Sequence, residues 1–264
     1  MPTARNLHFI NVAHDNDVEQ ASISVRRIEG GDSGRPGIFW INGFMSVMAA
    51  TKVSAVSKWA QENERNLVKF DFGGHGESGG TMMDGTIGRW LKEAHTVFSE
   101  FASGPQIIVG SSMGGWIALL LNKLIAEQTV RQASVHGIVL IAPAVDMSER
   151  LMWQKFPETV RDEILQRGYY ERPSAYDDGP YLITRRLIEE GRDHLLFDAP
   201  LATNCPVRIL HGMRDPDVPW QLSLELVAHL GDSDVVLQLI KDGDHRLSRD
   251  QDIDLLIATI DRLG

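Results

Sequence analysis

The chain has 264 residues, of which 43% are hydrophobic and 23% charged, ordinary globular usage that excludes a disordered chain. Its 26 Lys and Arg against 36 Asp and Glu leave a net charge of −10, which argues against a nucleic-acid or anionic-membrane partner. The one cysteine, Cys205, rules out an intrachain disulfide and suits a reducing compartment such as the cytoplasm.

No run approaches the roughly 18 apolar residues of a membrane span, and the segment from Met1 to Phe9 is too polar and too short for a secretory leader. Leu7–Val12 and Ala21–Ile28 are predicted strands with no helix between them, expected as an antiparallel hairpin at a sheet edge. Gly37–Ile41 reads as a buried strand ending in the turn Asn42-Gly43. Lys52–Glu62 carries Val53, Val56 and Trp59–Ala60 at helical spacing. Asn66–Phe72 is a further strand, followed by a Gly-rich loop. A helix is predicted from Thr86 to Phe101, with Ile87, Trp90–Leu91, Ala94 and Val97–Phe98 on one face. Gln106–Gly110 and Gly137–Ala142 are strands around a helix over Trp116–Glu127. Val207–His211, Val235–Ile240 and a helix over Asp250–Arg262 complete the series. Continuous apolar strands separated by helices imply a mostly parallel sheet covered on both faces.

Between Val145 and Pro200 the rhythm breaks. The segment shows no convincing strand, only short helical pieces with Pro and Gly punctuation, and it holds all four tyrosines, Tyr169, Tyr170, Tyr176 and Tyr181. It is expected to be an insertion, about 146–200, lying over one end of the sheet within a single domain spanning the whole chain.

Gly110-Ser111-Ser112-Met113-Gly114 fits G-x-S-x-G, and so does Gly76-Glu77-Ser78-Gly79-Gly80. Only Ser112 lies directly between a buried strand and an apolar helix, the setting that pushes a serine hydroxyl out above a sheet at the positive end of a helix. Ser78, further from its strand, reads as a serine of a surface loop. A serine hydroxyl needs a base, and the base needs an orienting acid. Asp215 follows the strand Val207–His211, and His245 follows Val235–Ile240 as the last of nine histidines. Both thus fall at strand carboxyl ends, where sheets of this class place their ligands. Asp217 and Asp146 are alternative acids. Backbone N–H groups of Met113 and of Phe44, in the loop after Gly37–Ile41, are the expected donors to a developing oxyanion.

Gly74-His75-Gly76-Glu77-Ser78-Gly79 satisfies G-x-G-x-x-G, but no helix begins at its third glycine to receive a pyrophosphate. Cys205, before Pro206 at a strand start, reads as a small buried residue. No metal motif is present, so no metal is expected. In the insertion, Trp153, Tyr176 and Tyr181 offer apolar faces to an acyl or aryl group, and Arg172 offers a charge to an anionic leaving group.

With these residues placed, the chain resembles an α/β-hydrolase over its whole length. More closely, it resembles the mitochondrial α/β-hydrolase-domain enzymes with palmitoyl-protein thioesterase and acyl-glucuronide esterase activity, together with their bacterial relatives. The resemblance is carried by Gly104–Trp116, by Asn204–Met213 with Asp215, Val218, Pro219 and Trp220, and by Asp244-His245-Arg246. Pro173-Ser174-Ala175-Tyr176 with Gly179 and Tyr181 is similar too. It implies a mostly parallel eight-stranded sheet with a helical cap. It also implies cofactor-free hydrolysis of acyl thioesters or carboxylic esters, on small molecules or an acylated protein, with Ser112, Asp215 and His245 as the family's triad. The sequence departs from the family in showing no Arg- and Ser-rich transit peptide, so a bacterial cytoplasmic enzyme is expected rather than one of the mitochondrial matrix. The same fold also supports lactone or carbon–carbon bond hydrolysis, and ligand receptors that have lost part of the triad.

Overall fold

Apolar side chains along the central strands alternate between two hydrophobic layers, because successive Cβ atoms of a strand point to opposite faces. A computed structural model describes residues 7–14, 21–31, 34–128, 132–173, 181–231 and 234–264. Strand β3 (Gly37–Ile41) is buried throughout. Its Ile38 and Trp40 pack with Val53, Val56 and Ala60 of helix α1 (Thr51–Glu62) and Leu256 and Ile260 of helix α7 (Asp250–Arg262). Its Phe39 and Ile41 belong to the other layer, with Trp90, Ala94 and Val97 of α2 (Ile87–Phe101), Ile117 and Leu121 of α3 (Met113–Ala126), and Leu222 and Leu226 of α6 (Gln221–His229).

The remaining strands of the sheet are β1 (Leu7–Val12), β2 (Ala21–Ile28), β4 (Leu67–Phe70), β5 (Gly104–Ser111), β6 (Ala133–Ile141), β9 (Val207–Gly212) and β10 (Val235–Ile240). Their order is β1-β2-β4-β3-β5-β6-β9-β10. β2 runs antiparallel to both β1 and β4, and every other pairing is parallel. This is the α/β-hydrolase fold. The loops after β3, β4, β5, β6, β9 and β10 therefore gather at one edge of the sheet, and that edge carries the site.

Between β6 and β9 the chain makes a π-helical turn over Met147–Trp153, then α4 (Glu158–Arg167), β7 (Tyr169–Arg172), β8 (Tyr181–Thr184) and α5 (Arg185–Gly191). The expectation of no strand in this segment is corrected here: β7 and β8 pair antiparallel, from Tyr169 opposite Thr184 to Arg172 opposite Tyr181. Each strand has only four residues, too few for an alternating pattern to show, and their pairing is decided by partners distant in sequence. The segment is closed on itself through Asp146 and is tied to the helices beside the sheet through Arg150 and Glu190. Asp146 accepts the N–H groups of Leu196 (2.8 Å) and Phe197 (3.1 Å). Arg150 forms a two-pronged pair with Glu225 of α6. Glu190 accepts the Gly88 N–H at the start of α2 (2.8 Å).

Candidate active site

Ser112 stands where β5 ends and α3 begins, with φ 54° and ψ −120°. A non-glycine residue held there stores about 1–3 kcal/mol of strain, which the surroundings must over-determine. Its N–H donates to the Ile141 carbonyl (2.8 Å), and its own carbonyl accepts from Gly115 (2.9 Å) and Ala144 (3.0 Å). The hydroxyl does not cap α3, so it is not consumed by the helix. The loop after β3 closes directly on this turn. A Cβ on Gly43 would lie 3.0 Å from the Ser111 carbonyl oxygen and 3.2 Å from the Ser112 Cβ, so a side chain here would press on the serine turn that glycine leaves undisturbed. Among the described residues Phe44, the next residue, makes no backbone hydrogen bond through its N–H. Met113 opens α3, and a first-turn N–H has no intrahelical acceptor.

His245 and Asp215 meet from the loops after β10 and β9. His245 Nδ1 lies 2.7 Å from Asp215 Oδ2, with the His245 side chain 18% exposed and the Asp215 side chain fully buried. Asp215 Oδ1 accepts the N–H groups of Asp217 and Val218, both at 2.8 Å. Burial alone would raise the Asp215 carboxyl. Hydrogen bonds from His211 and His245, the charge of His245 and the Val218 N–H outweigh burial and hold it well below the usual carboxylate range. An ionised carboxylate only accepts, so His245 carries its proton on Nδ1 and leaves Nε2 as a base.

His211 is a site residue that sequence reasoning passed over. Its side chain is fully buried at the end of β9, with Nε2 3.0 Å from the Val218 carbonyl and 3.3 Å from Asp215 Oδ2, and Nδ1 2.6 Å from Ser223 Oγ. Two acceptors facing Nε2 place the proton there, and the Ser223 hydroxyl then donates to Nδ1. The available signal was its place four residues before Asp215 at a strand end.

The other candidates fall elsewhere. Asp146 is buried and spent on the Leu196 and Phe197 N–H groups, and burial raises its carboxyl despite them. Ser78, expected at the surface, is half-buried. It donates to the Asp71 carbonyl (2.6 Å), accepts the Ser24 N–H (2.9 Å) and lies 3.1 Å from Ser24 Oγ, so it fastens a loop to β2. Cys205 is buried, and burial pushes its thiol up to about 11. Among the described residues Asp215, Asp217 and His245 bring three ligand-type atoms within 4.8 Å of one another. A cation there would compete with the hydrogen bond that joins His245 to Asp215.

Ser112 and His245 line one cavity of about 400 Å³, within the range of small-ligand sites. Phe44, Met147, Leu151, Met152, Tyr181 and Val218 form its apolar walls, while Lys52, Arg172, Asp217 and Arg246 supply polar groups. Burial, with the nearby Arg246, lowers the Lys52 ammonium to about 8, and Lys52 donates to the Arg246 carbonyl. Of the expected cap residues, Tyr181 and Arg172 line this cavity. Trp153 is not among the residues lining this cavity: its ring lies near the guanidinium groups of Arg161 (5.6 Å) and Arg192 (5.4 Å). Tyr176 lies outside the described residues, as do Ser174, Ala175 and Gly179.

A strained serine at a strand-to-helix turn, sharing a cavity with an imidazole held by a buried carboxylate on this sheet, is the arrangement of an α/β-hydrolase. Residues 38–252 match the family model described as serine aminopeptidase, S33, and the chain belongs to that hydrolase family. It is 37% identical over 249 residues to mouse (Mus musculus) mitochondrial palmitoyl-protein thioesterase ABHD10, covering 94% of this chain and 80% of the relative. Among solved structures it is similar to a hydrolase from Agrobacterium vitis S4, with TM-score 0.93, 42% identity and coverage of 97% and 98% of the two chains. The mouse α/β-hydrolase domain-containing protein 10 gives TM-score 0.83, 35% identity and 97% coverage of each chain.

Proposed function

We propose that the chain hydrolyses acyl thioesters or carboxylic esters through an acyl-enzyme on Ser112. The observation that carries this reading is the fully buried, ionised Asp215 at 2.7 Å from the Nδ1 of His245, which lines the same cavity as a serine whose hydroxyl does not cap the helix behind it. Ser112 Oγ attacks the acyl carbonyl carbon while its proton passes to His245 Nε2. The carbonyl oxygen becomes an oxyanion and is met by the N–H groups of Phe44 and Met113. The C–O or C–S bond then breaks, the leaving alkoxide or thiolate takes the proton from His245, and the acyl group remains on Ser112. Water, deprotonated by the same imidazole, repeats the attack and releases the acid. Asp215 stays ionised throughout and holds the tautomer.

The apolar walls at Met147, Leu151, Met152 and Tyr181 take the acyl chain, and Arg172 lies toward the leaving group. The thioesterase activity in the name of the mouse relative favours thioesters, free or on an acylated protein, over lactones. The chain is read as one domain in which residues about 146–200 form the cap. Its lone, buried Cys205 suits a reducing compartment, the cytoplasm by this reading, although the relatives are named mitochondrial. No helix among the described residues is long and apolar enough to cross a membrane.

The test is a panel of p-nitrophenyl esters and acyl thioesters of graded chain length, run beside Ser112→Ala. Turnover that depends on Ser112 and varies with acyl length is expected. Equal turnover by Ser112→Ala would end the proposal.

A further inference from the structure

The Gly-rich loop that imitates a dinucleotide motif has its own place in the site. It follows β4 and reaches under the loop after β3, the segment that carries the Phe44 N–H. That segment is gripped at three points, all by β4 and the residues that follow it. Asn42 Nδ2 donates to the Phe70 carbonyl (2.8 Å), and Asn42 Oδ1 accepts from Trp40 Nε1 (2.9 Å). The Met45 N–H donates to His75 Nε2 (3.1 Å). The Met48 N–H donates to Asp71 Oδ1 (2.6 Å). Between the first two anchors only Gly43 and Phe44 remain.

Met45 needs its anchor, since its φ of 57° is one that a side-chain-bearing residue rarely adopts. The geometry points to His75, supported by Asp71, as a positioning residue for the oxyanion loop: its neutral ring fixes the Met45 peptide and thereby aims the neighbouring Phe44 N–H at the oxyanion. The inference rests on the acyl-transfer reading of the site.

The donor at Met45 is a backbone N–H, so His75 Nε2 must accept. The ring proton then sits on Nδ1, 3.2 Å from the Gly73 carbonyl, to which it donates. The surroundings keep the ring neutral. His75 is 4% exposed and packs edge-on against Phe44, Phe72 and Trp90, at centroid distances of 6.4, 6.1 and 5.5 Å. The Gly73 carbonyl is itself fixed by Trp90 Nε1 (3.2 Å), and the Gly73 N–H by Glu93 (2.8 Å), whose carboxylate also meets the buried His14 (3.1 Å). The glycine after His75 answers to the same design. Gly76 has φ 49°, and a Cβ there would fall 2.1 Å from Asp71 Oδ2, displacing the carboxylate that holds Met48 and the Glu77 N–H (3.0 Å).

The test compares His75→Asn with His75→Gln. Asn keeps a donor where Nδ1 stood and loses the acceptor toward Met45, whereas Gln places an oxygen near the Nε2 position. For His75→Asn, kcat on a p-nitrophenyl ester should fall by about 10²-fold with KM within about threefold, because a donor misplaced by about 1 Å forfeits that much. An alkylboronic acid, whose tetrahedral adduct occupies the oxyanion position, should lose affinity by the same factor. His75→Gln should recover at least about tenfold of the loss, as expected of a restored acceptor.

An unchanged kcat in folded His75→Asn would overturn the inference, as would a loss confined to KM or equal losses in the two variants. If His75→Asn does not fold, ¹⁵N NMR of the wild-type imidazoles decides, the Nδ1–H tautomer of His75 being required and the Nε2–H tautomer contradicting it. Failure of the acyl-transfer reading itself looks different: Ser112→Ala keeps its turnover and the boronic acid does not inhibit the wild type.

Discussion

Asp215→Asn isolates the part of the site that sets the imidazole tautomer. Oδ1 of the native carboxylate holds the Asp217 and Val218 N–H groups, and Oδ2 faces both His245 Nδ1 and His211 Nε2. An asparagine that retains the two backbone bonds must present its NH₂ to the two histidines. His245 Nδ1 then becomes the acceptor, and its proton moves to Nε2, the atom that has to receive the Ser112 proton. The expected loss is about 10³- to 10⁴-fold in kcat/KM, or about 4–5.5 kcal/mol of transition-state stabilisation at 1.36 kcal/mol per decade. The NH₂ also meets the His211 Nε2–H as one donor facing another in a fully buried place. An unsatisfied buried group of this kind costs about 1–3 kcal/mol, so the melting temperature should drop by several degrees. Assays at 25 °C on protein shown to be folded by circular dichroism separate the two effects. Asp217→Asn should cost less than about tenfold, since the main-chain N–H with which it holds Asp215 survives the substitution. Asp146→Asn should lower stability through the cap and leave most of the rate. An Asp215→Asn enzyme with more than about a tenth of wild-type activity would refute the reasoning, as would a larger loss in Asp146→Asn.

Three further outcomes are expected. Ser78→Ala should retain kcat but lower the melting temperature, because it removes bonds to Ser24 and Asp71; loss of activity without loss of stability would contradict its fastening role. Trimming Met147 or Leu151 to alanine should change the ratio of kcat/KM between long and short acyl substrates by about tenfold, whereas Trp153→Ala should lower stability with the ratio unmoved; the reverse pattern would return Trp153 to the substrate. Burial holds His75 down to about 4, while an unfolded histidine titrates near 6.5. The unfolded chain therefore takes up the proton first, and up to about 3 kcal/mol of stability is lost as pH falls from about 6.5 to about 4. Urea melts at pH 7 and 4.5 should show this fall in the wild type and a smaller one in His75→Gln.

Much of the sheet was legible because β3, β5 and the end of β6 are buried on both faces and read as unbroken apolar runs. Ser112 was legible for a local reason, a glycine-flanked turn between such a strand and an apolar helix. Asp215 and His245 could be placed because strand carboxyl ends converge in this class of sheet. Their hydrogen bond, across 30 residues, follows from tertiary packing and from no pattern in the chain. The β7–β8 hairpin escaped because four-residue strands carry no period. Helix α6 went unnamed because its only buried apolar positions are Leu222 and Leu226, one turn apart behind a proline-rich bend. The roles of Asp71 and His75 were invisible for a different reason: each is defined by the N–H it faces, on a loop brought in from another strand.

The central claim is that Ser112 is the nucleophile. Its most direct test is to treat the folded wild-type protein with a fluorophosphonate and locate the adduct by peptide mass spectrometry, with Ser112→Ala as a parallel sample. One adduct per chain on the peptide containing Ser112, absent from Ser112→Ala, is the predicted result. An adduct on Ser78, or one that persists undiminished in Ser112→Ala, would contradict the account.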